Sequence, residues 1–187
     1  MDYSVNEVKL QKIFRSSFWS NLFKSQPVKS DLENLLLSIP PFQNFSKSVI
    51  RNFIQLIHHR AYAANEIIFV QGDPGIALYI IQEGEVKIIK NSDTGIKYEL
   101  AQFSRGDFFG ELALLDNDVR SATAIASKDS KIAVIFKPDL DYFISKNPKK
   151  GVEILSGIAK IISTRLRILD EEIIKVIIDK PQTNNGE

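Results

Sequence analysis

From His59 to Phe136 the apolar residues of this chain arrive in short bursts: IIFVQ, ALYIIQEG, EVKIIK, IKYELAQF, SATAIAS and KIAVIF. Turn-forming residues such as GDPG, NSDTG and SRGD separate them. Short runs rich in Ile, Val, Phe and Tyr read as strands, and Gly, Asp and Pro set the turns between them. Such spacing is poor material for a parallel sheet, which needs a crossover helix between neighbouring strands. The chain is thereby confined to an antiparallel β-sandwich, roll or barrel.

Helices are expected on either side of this region. Residues 31–39 read as a short helix stopped by Pro40 and Pro41. Ser46 is a candidate cap for a second, whose apolar face is Val49, Ile50, Phe53, Ile54 and Ile57. Residues 138–146 read as a third, with Pro138 in its first turn. From Pro148 a long helix is expected. Val152, Leu155, Ala159, Ile162, Leu166, Leu169, Ile173 and Val176 keep a three/four spacing along it. Such a stripe needs cover, from a parallel seam in a homodimer or from folding back on its own subunit. Ahead of all this, residues 5–24 carry an imperfect stripe of Val5, Val8, Phe14, Phe18, Trp19, Leu22 and Phe23 beside Lys9, Lys12, Arg15 and Lys24. That pattern fits a helix packed on its own domain or on a dimer mate, or one lying on a membrane surface. The expected organisation is an N-terminal aromatic segment (1–29), a roll with entry and hinge helices (30–148), a long helix (149–180) and a disordered tail (181–187).

Composition removes several function classes. The chain has 187 residues, 44% apolar and 25% charged, with net charge +1. It lacks the basic excess of non-specific nucleic-acid binders. With no cysteine there is no disulfide, thiolate metal site or cysteine nucleophile. No apolar run reaches the roughly 18 residues of a membrane span, and the N-terminus has no secretory apolar core. A soluble, cytoplasmic protein is expected. The only histidines, His58 and His59, are adjacent, and neighbouring strand residues point to opposite faces. With no other converging ligands or nucleophile–base set, neither a metal site nor an enzyme is expected.

One stretch stands apart: FFGELALLDNDVRSATA, residues 108–124. It reads either as a helix start, a loop and a strand without chemistry, or as a site for a small anion bearing a polar ring. A cyclic phosphodiester on a ribose asks for an arginine fork, backbone N–H donors at a helix start, a glycine for close approach and a carboxylate for the 2′-hydroxyl. Arg120, a short helix over residues 111–115, Gly110 and Glu111 supply these types, and Ser121 and Ala122 add a hydroxyl and an unencumbered N–H. Arg120 is expected at the start of a strand, with Leu112, Ala113 and Leu114 tethering the little helix to the roll.

F-G-E-L-A-L-L, a loop and R-S-A-T-A resemble the phosphate-binding cassette of the cyclic nucleotide-binding domain family. G-D-P-G-I-A-L-Y-I-I-Q-E-G-E-V (residues 72–86) is similar to that family's glycine-punctuated strand pair, I-P-P-F (39–42) to its entry, and R-L-R-I-L-D-E-E (165–172) to its dimer helix. The resemblance implies a mainly β fold with flanking helices, a β-roll or jelly roll. It implies that Arg120 holds the cyclic phosphate, that Glu111 takes the ribose hydroxyl, and that Gly110, Leu112, Ala113, Ser121 and Ala122 complete the cassette. Ile88, Leu100, Arg165, Leu169 and Asp170 become the expected wall for base and sugar. Leu169 is set to cap the base and Asp170 to accept from an exocyclic amine, which makes adenine the default base.

Two departures are visible. No acid stands at Ile76-Ala77, and Val119 replaces the proline that often precedes the arginine. The expectation is a stand-alone sensor without a DNA-binding module. It takes cAMP or cGMP as ligand rather than a cofactor, dimerises through its long helix and signals to an effector in trans. The alternative is an interaction or scaffold module with a vestigial pocket, associated with a membrane surface through residues 1–29.

Overall fold

The computed structural model describes residues 29–116 and 118–178. Thirteen elements follow in order: α1 (Lys29–Ser38), α2 (Lys47–Ile54), β1 (His58–Tyr62), β2 (Ile67–Phe69), β3 (Ala77–Glu83), β4 (Val86–Asn91), β5 (Lys97–Phe103), β6 (Phe108–Phe109), α3 (Glu111–Asp116), β7 (Thr123–Ala126), β8 (Ser130–Phe136), α4 (Lys137–Lys146) and α5 (Pro148–Ile178). The strands form two four-stranded sheets, β1-β8-β3-β6 and β2-β7-β4-β5, and every pairing is antiparallel. This is the expected roll. The aromatic segment 5–24 and the tail lie outside the described residues.

The first sheet separates two cores. On β3, Leu78 and Ile80 face the helices, while Ala77, Tyr79 and Ile81 face the second sheet. On β8, Ala133 and Ile135 take the helical side, and Ile132 and Val134 the other. A strand covered on both faces reads as a continuous apolar run, which is why ALYII shows no alternation. The helical core gathers Leu32, Leu36, Ile50, Phe53, Phe143 and Ile154. Phe53 is its hub, with ring centroids 4.9 Å from both Phe42 and Phe143.

Ser46 caps α2 as expected, accepting from the Val49 N–H at 3.4 Å. In α4, Leu140 and Phe143 are buried and Ile144 packs against α5, while Tyr142 is exposed. It lies on the solvent side of a helix that has only one covered face. The 31 residues of α5 span about 46 Å. Ile154 and Ile158 bury one stripe of it in the helical core, while Val152, Leu155, Leu166, Leu169 and Ile173 stay exposed on another. The helix therefore folds back on its own subunit and still presents the second stripe outward. At Gly157 its backbone lies against Pro40 and Pro41, and a Cβ there would stand 2.4 Å from the Pro41 Cα.

Candidate functional site

The GDPG turn comes first, because it holds the loop that carries the arginine. Asp73 accepts from the Val70 N–H at 2.9 Å, the Arg120 N–H donates to the Asp73 carbonyl at 2.7 Å, and the Gly72 N–H donates back to the Arg120 carbonyl at 2.9 Å. Pro74 and Val119 form a bridge beside them. Arg120 thus sits three residues before β7, on a loop stitched to a turn, not at a strand start as expected. Asp73 and Gly72 satisfy its backbone before the β4–β7 ladder begins.

The Arg120 side chain is 3% exposed. Nη1 donates to the Gly110 carbonyl and Nη2 to the Ala77 carbonyl, each at 2.8 Å. The guanidinium lies over the Phe69 ring, 4.3 Å from its centroid, in cation–π contact. Its Nε is buried without a partner, and among the described residues no carboxylate is paired with it. Burial pushes its pKa down, with nearby Tyr79, Asp73 and Glu111 pulling the other way. Arginine nonetheless remains protonated at neutral pH. The site holds a buried positive charge cradled by dipoles and aromatic faces. Gly110 makes the cradle possible. Its φ is +81°, and a Cβ on it would meet Arg120 Nη1 at 2.7 Å.

Glu111 opens α3 and is buried. Its Oε1 pairs with Arg165 of α5 at 2.8 Å, and Arg165 Nη2 donates to the Phe108 carbonyl at 2.6 Å. Arg165 also lies over the Phe103 ring, 4.4 Å from the centroid. Oε2 of Glu111 has no hydrogen-bond partner among the described residues.

These groups close one end of a cavity of about 430 Å³, within the range of small-ligand sites. Gly110, Glu111, Leu112, Arg120, Ser121 and Ala122 form that end. Ile88, Leu100, Ala101, Phe103, Phe69 and Phe109 form the walls, and Arg165, Ile168 and Leu169 of α5 the far side. Ala113 belongs to α3. Leu112 does not tether α3 as expected. It is 47% exposed at the cavity rim, whereas the first residue of the helix, Glu111, is buried.

Asp170 is absent from the cavity walls. Arg165, Ile168 and Leu169 are spaced i, i+3, i+4 and share a helix face. Asp170, one residue further round, is exposed. Five lining residues escaped the sequence reading: Phe69, Ala101, Phe103, Phe109 and Ile168. For Ala101 the reason is a β-bulge. Ile88 pairs with Ala101 and Ile89 with Glu99, which leaves Leu100 as the extra residue. Both Leu100 and Ala101 consequently reach the cavity, against simple alternation. His58 and His59 lie elsewhere, beside Asp139 and Gln82, and the described residues contain no cluster able to hold a metal.

A family model described as the cyclic nucleotide-binding domain matches residues 59–147. The chain carries a domain of this family. The Cyclic AMP receptor protein of Thermus thermophilus is 31% identical over 72% of this chain and 60% of its own length. The cAMP-dependent protein kinase regulatory subunit of Aspergillus niger is 37% identical over 53% of this chain and 22% of its own. The chain therefore spans less than two thirds of the length of either relative. Among solved structures, a cyclic nucleotide-binding domain from Methylobacillus flagellatus superposes with TM-score 0.71 at 25% identity, covering 78% of this chain and 82% of that one. The second of these relatives is by name a regulatory subunit, and no described helix of this chain is long and apolar enough to cross a membrane.

Proposed function

We propose that the cavity binds a 3′,5′-cyclic nucleotide, cAMP in preference to cGMP, and reports occupancy through α5. The observation that carries this reading is the buried Arg120 guanidinium at one end of the cavity, with no carboxylate paired to it. A cyclic phosphodiester brings the single negative charge that such a site favours, and the planar fork suits two of its oxygens. Ser121 and Ala122 stand beside it. The ribose hydroxyl donates to Glu111 Oε2, the oxygen that Arg165 leaves unused.

The base then lies against Ile88, Leu100, Ala101, Ile168 and Leu169, none of which carries a side-chain hydrogen-bonding group. Guanine brings a carbonyl, a ring N–H and an amine to such a wall, and adenine fewer groups to leave unpaired. Each unpaired group costs about 1–3 kcal/mol, so the wall favours adenine. The names of both relatives above refer to cAMP, and the regulatory domain of Toxoplasma gondii PKA, 27% identical, was crystallised with cAMP.

Signalling follows from Glu111. Ligand and long helix share one carboxylate, so filling the cavity biases where α5 rests, a population shift. The exposed stripe from Val152 to Ile173 is the surface that changes, either in a homodimer or against an effector in trans. A second reading, an interaction module whose pocket takes no cyclic nucleotide, draws on the Glu111–Arg165 pair, which closes the site without ligand.

Calorimetric titration of stripped protein with cAMP and cGMP, beside Arg120→Ala, separates the two readings. The proposal expects binding that Arg120→Ala weakens by roughly 1.5–3 kcal/mol, about tenfold to over a hundredfold. No binding of either nucleotide establishes the second reading.

A further inference from the structure

Behind the loop that carries Arg120 lies a second, unassigned crevice of about 750 Å³. Its apolar lining includes Pro74, Ile76, Val119 and Pro138, and Asp118 and Asp141 line it as well. Ile76 and Val119 are large apolar residues left 56% and 51% exposed. The crevice is mechanically joined to the cassette. Val119 precedes Arg120 and bridges Pro74, and the Lys137 N–H at the start of α4 donates to the Ile76 carbonyl at 2.9 Å. Whatever fills it braces the arginine loop and α4 together.

We infer that residues 1–28 of this same chain occupy the crevice, with the aromatic stripe Phe14, Phe18, Trp19, Leu22 and Phe23 against Ile76 and Val119. Three observations favour this occupant. The first is charge. Residues 1–28 hold four cations (Lys9, Lys12, Arg15, Lys24) against two carboxylates (Asp2, Glu7), a net +2, so the remainder of the +1 chain carries −1. The crevice presents two carboxylates, Asp118 and Asp141, against one lysine, Lys137, which pairs with Asp141 at 2.8 Å, leaving a net −1.

The second is chemistry. The segment carries the chain's only tryptophan and three of its twelve phenylalanines, and large aromatic side chains gain most from an apolar floor. The third is reach. At its N-terminal end α1 is anchored by Asp31 to Arg105 at 2.7 Å, and Arg105 also donates to the Gln82 carbonyl. Gln82 is near the end of β3 remote from the crevice. From there to Ala77 is five residues, about 17 Å. Residues 25–28 extended cover about 13 Å, and the twenty residues before them, read as a helix, about 30 Å more.

Trp19, as the sole tryptophan, reports directly on this docking. In the full chain its emission is expected to be blue-shifted, shielded from iodide and independent of protein concentration. Ile76→Asp with Val119→Asp should shift it to the red and raise iodide quenching severalfold. Asp141→Lys, an exposed charge reversal that leaves the apolar floor in place, should do the same more weakly, with unchanged circular dichroism. Leu166→Asp with Ile173→Asp on α5 should leave it unmoved. A Trp19 open to iodide in the parent chain, or shielding that survives both crevice variants, overturns the inference. So does shielding lost with the α5 pair, shielding that grows with concentration (a second copy), or shielding that appears only with anionic vesicles (a lipid surface). None of these readouts requires nucleotide, so they fail or succeed separately from the proposed ligand.

Discussion

The two ends of the cavity are built by opposite rules. At the Arg120 end the key group is buried and fixed by carbonyls from two separate segments, under a glycine that tolerates no side chain. At the opposite end the walls are aliphatic, Leu100, Ile168 and Leu169 are exposed, and part of the wall belongs to a long helix with half its length outside the core. The first end supplies a charge at a defined point. The second supplies contact area on an element that is able to shift. Affinity should therefore concentrate at the first and signalling at the second, and substitutions at each end test that division.

The largest effect should come from Gly110→Ala. A left-handed φ costs a non-glycine residue about 1–2 kcal/mol, and the new Cβ meets Arg120 Nη1 at 2.7 Å. Calorimetry should show cyclic nucleotide binding lost as completely as in Arg120→Ala. Gly72→Ala is the matched control. Its φ is +91° but its Cβ would meet nothing within 4 Å, so thermal melts should show the conformational cost while binding persists. Equal loss of binding in both variants would end the claim that the Gly110 contact shapes the arginine site.

Next is Arg165→Ala. It removes a partner from Glu111 Oε1 without touching Arg120. Affinity should fall less than tenfold, while the ligand-induced change in hydrogen exchange over residues 151–178 should disappear. If that change persists, Arg165 is not the connection to α5. Leu169→Ala should cost about 1 kcal/mol, roughly fivefold, for cAMP and cGMP alike, since it withdraws area from the wall and no hydrogen bond. Asp170→Ala should leave base preference unchanged, because the side chain lies outside the cavity. A swing in the cAMP:cGMP ratio would show that α5 rotates on binding.

The smallest effect concerns pH. Burial first of all raises the Tyr79 phenol beneath Arg120 above its ordinary value of 10, and burial likewise raises Tyr62. A pKa raised on folding means that its stabilisation is complete below the unfolded value and lost as pH climbs past it. Melting temperature should hold up to about pH 10 and then fall. Tyr79→Phe with Tyr62→Phe should flatten that fall.

The cassette was legible in sequence because its members are contiguous and their chemistry is uncommon in combination: glycine, acid, a short loop, arginine. The antiparallel roll was legible from the spacing of its apolar bursts, and α5 from its three/four repeat. What escaped depends on pairing and rotation. The bulge at Leu100 arises from how β5 meets β4, and no residue in IKYELAQF announces it. Asp170 was misplaced because a helix turns about 100° per residue, so one position separates the wall from solvent. Leu112 looked like a tether by its type yet is exposed, while the neighbouring Glu111, a charged residue, is buried against Arg165, which neutralises it. The GDPG turn was read as punctuation, and its grip on the Arg120 backbone becomes visible only in three dimensions.

The close approach at Gly157 gives α5 the mechanics of a lever. Backbone packed on backbone at Pro40 and Pro41 leaves little room to slide there, so that point serves as a fulcrum. Arg165, at the cavity, is eight residues away, roughly 12 Å, and Ile178 is twenty-one, roughly 32 Å. A tilt that moves the helix by about 2 Å beside the ligand carries its far end by about 5 Å. In the proposed mechanism, displacements no larger than those of a side chain settling around a nucleotide would be multiplied along a rigid rod into a larger step at its far end.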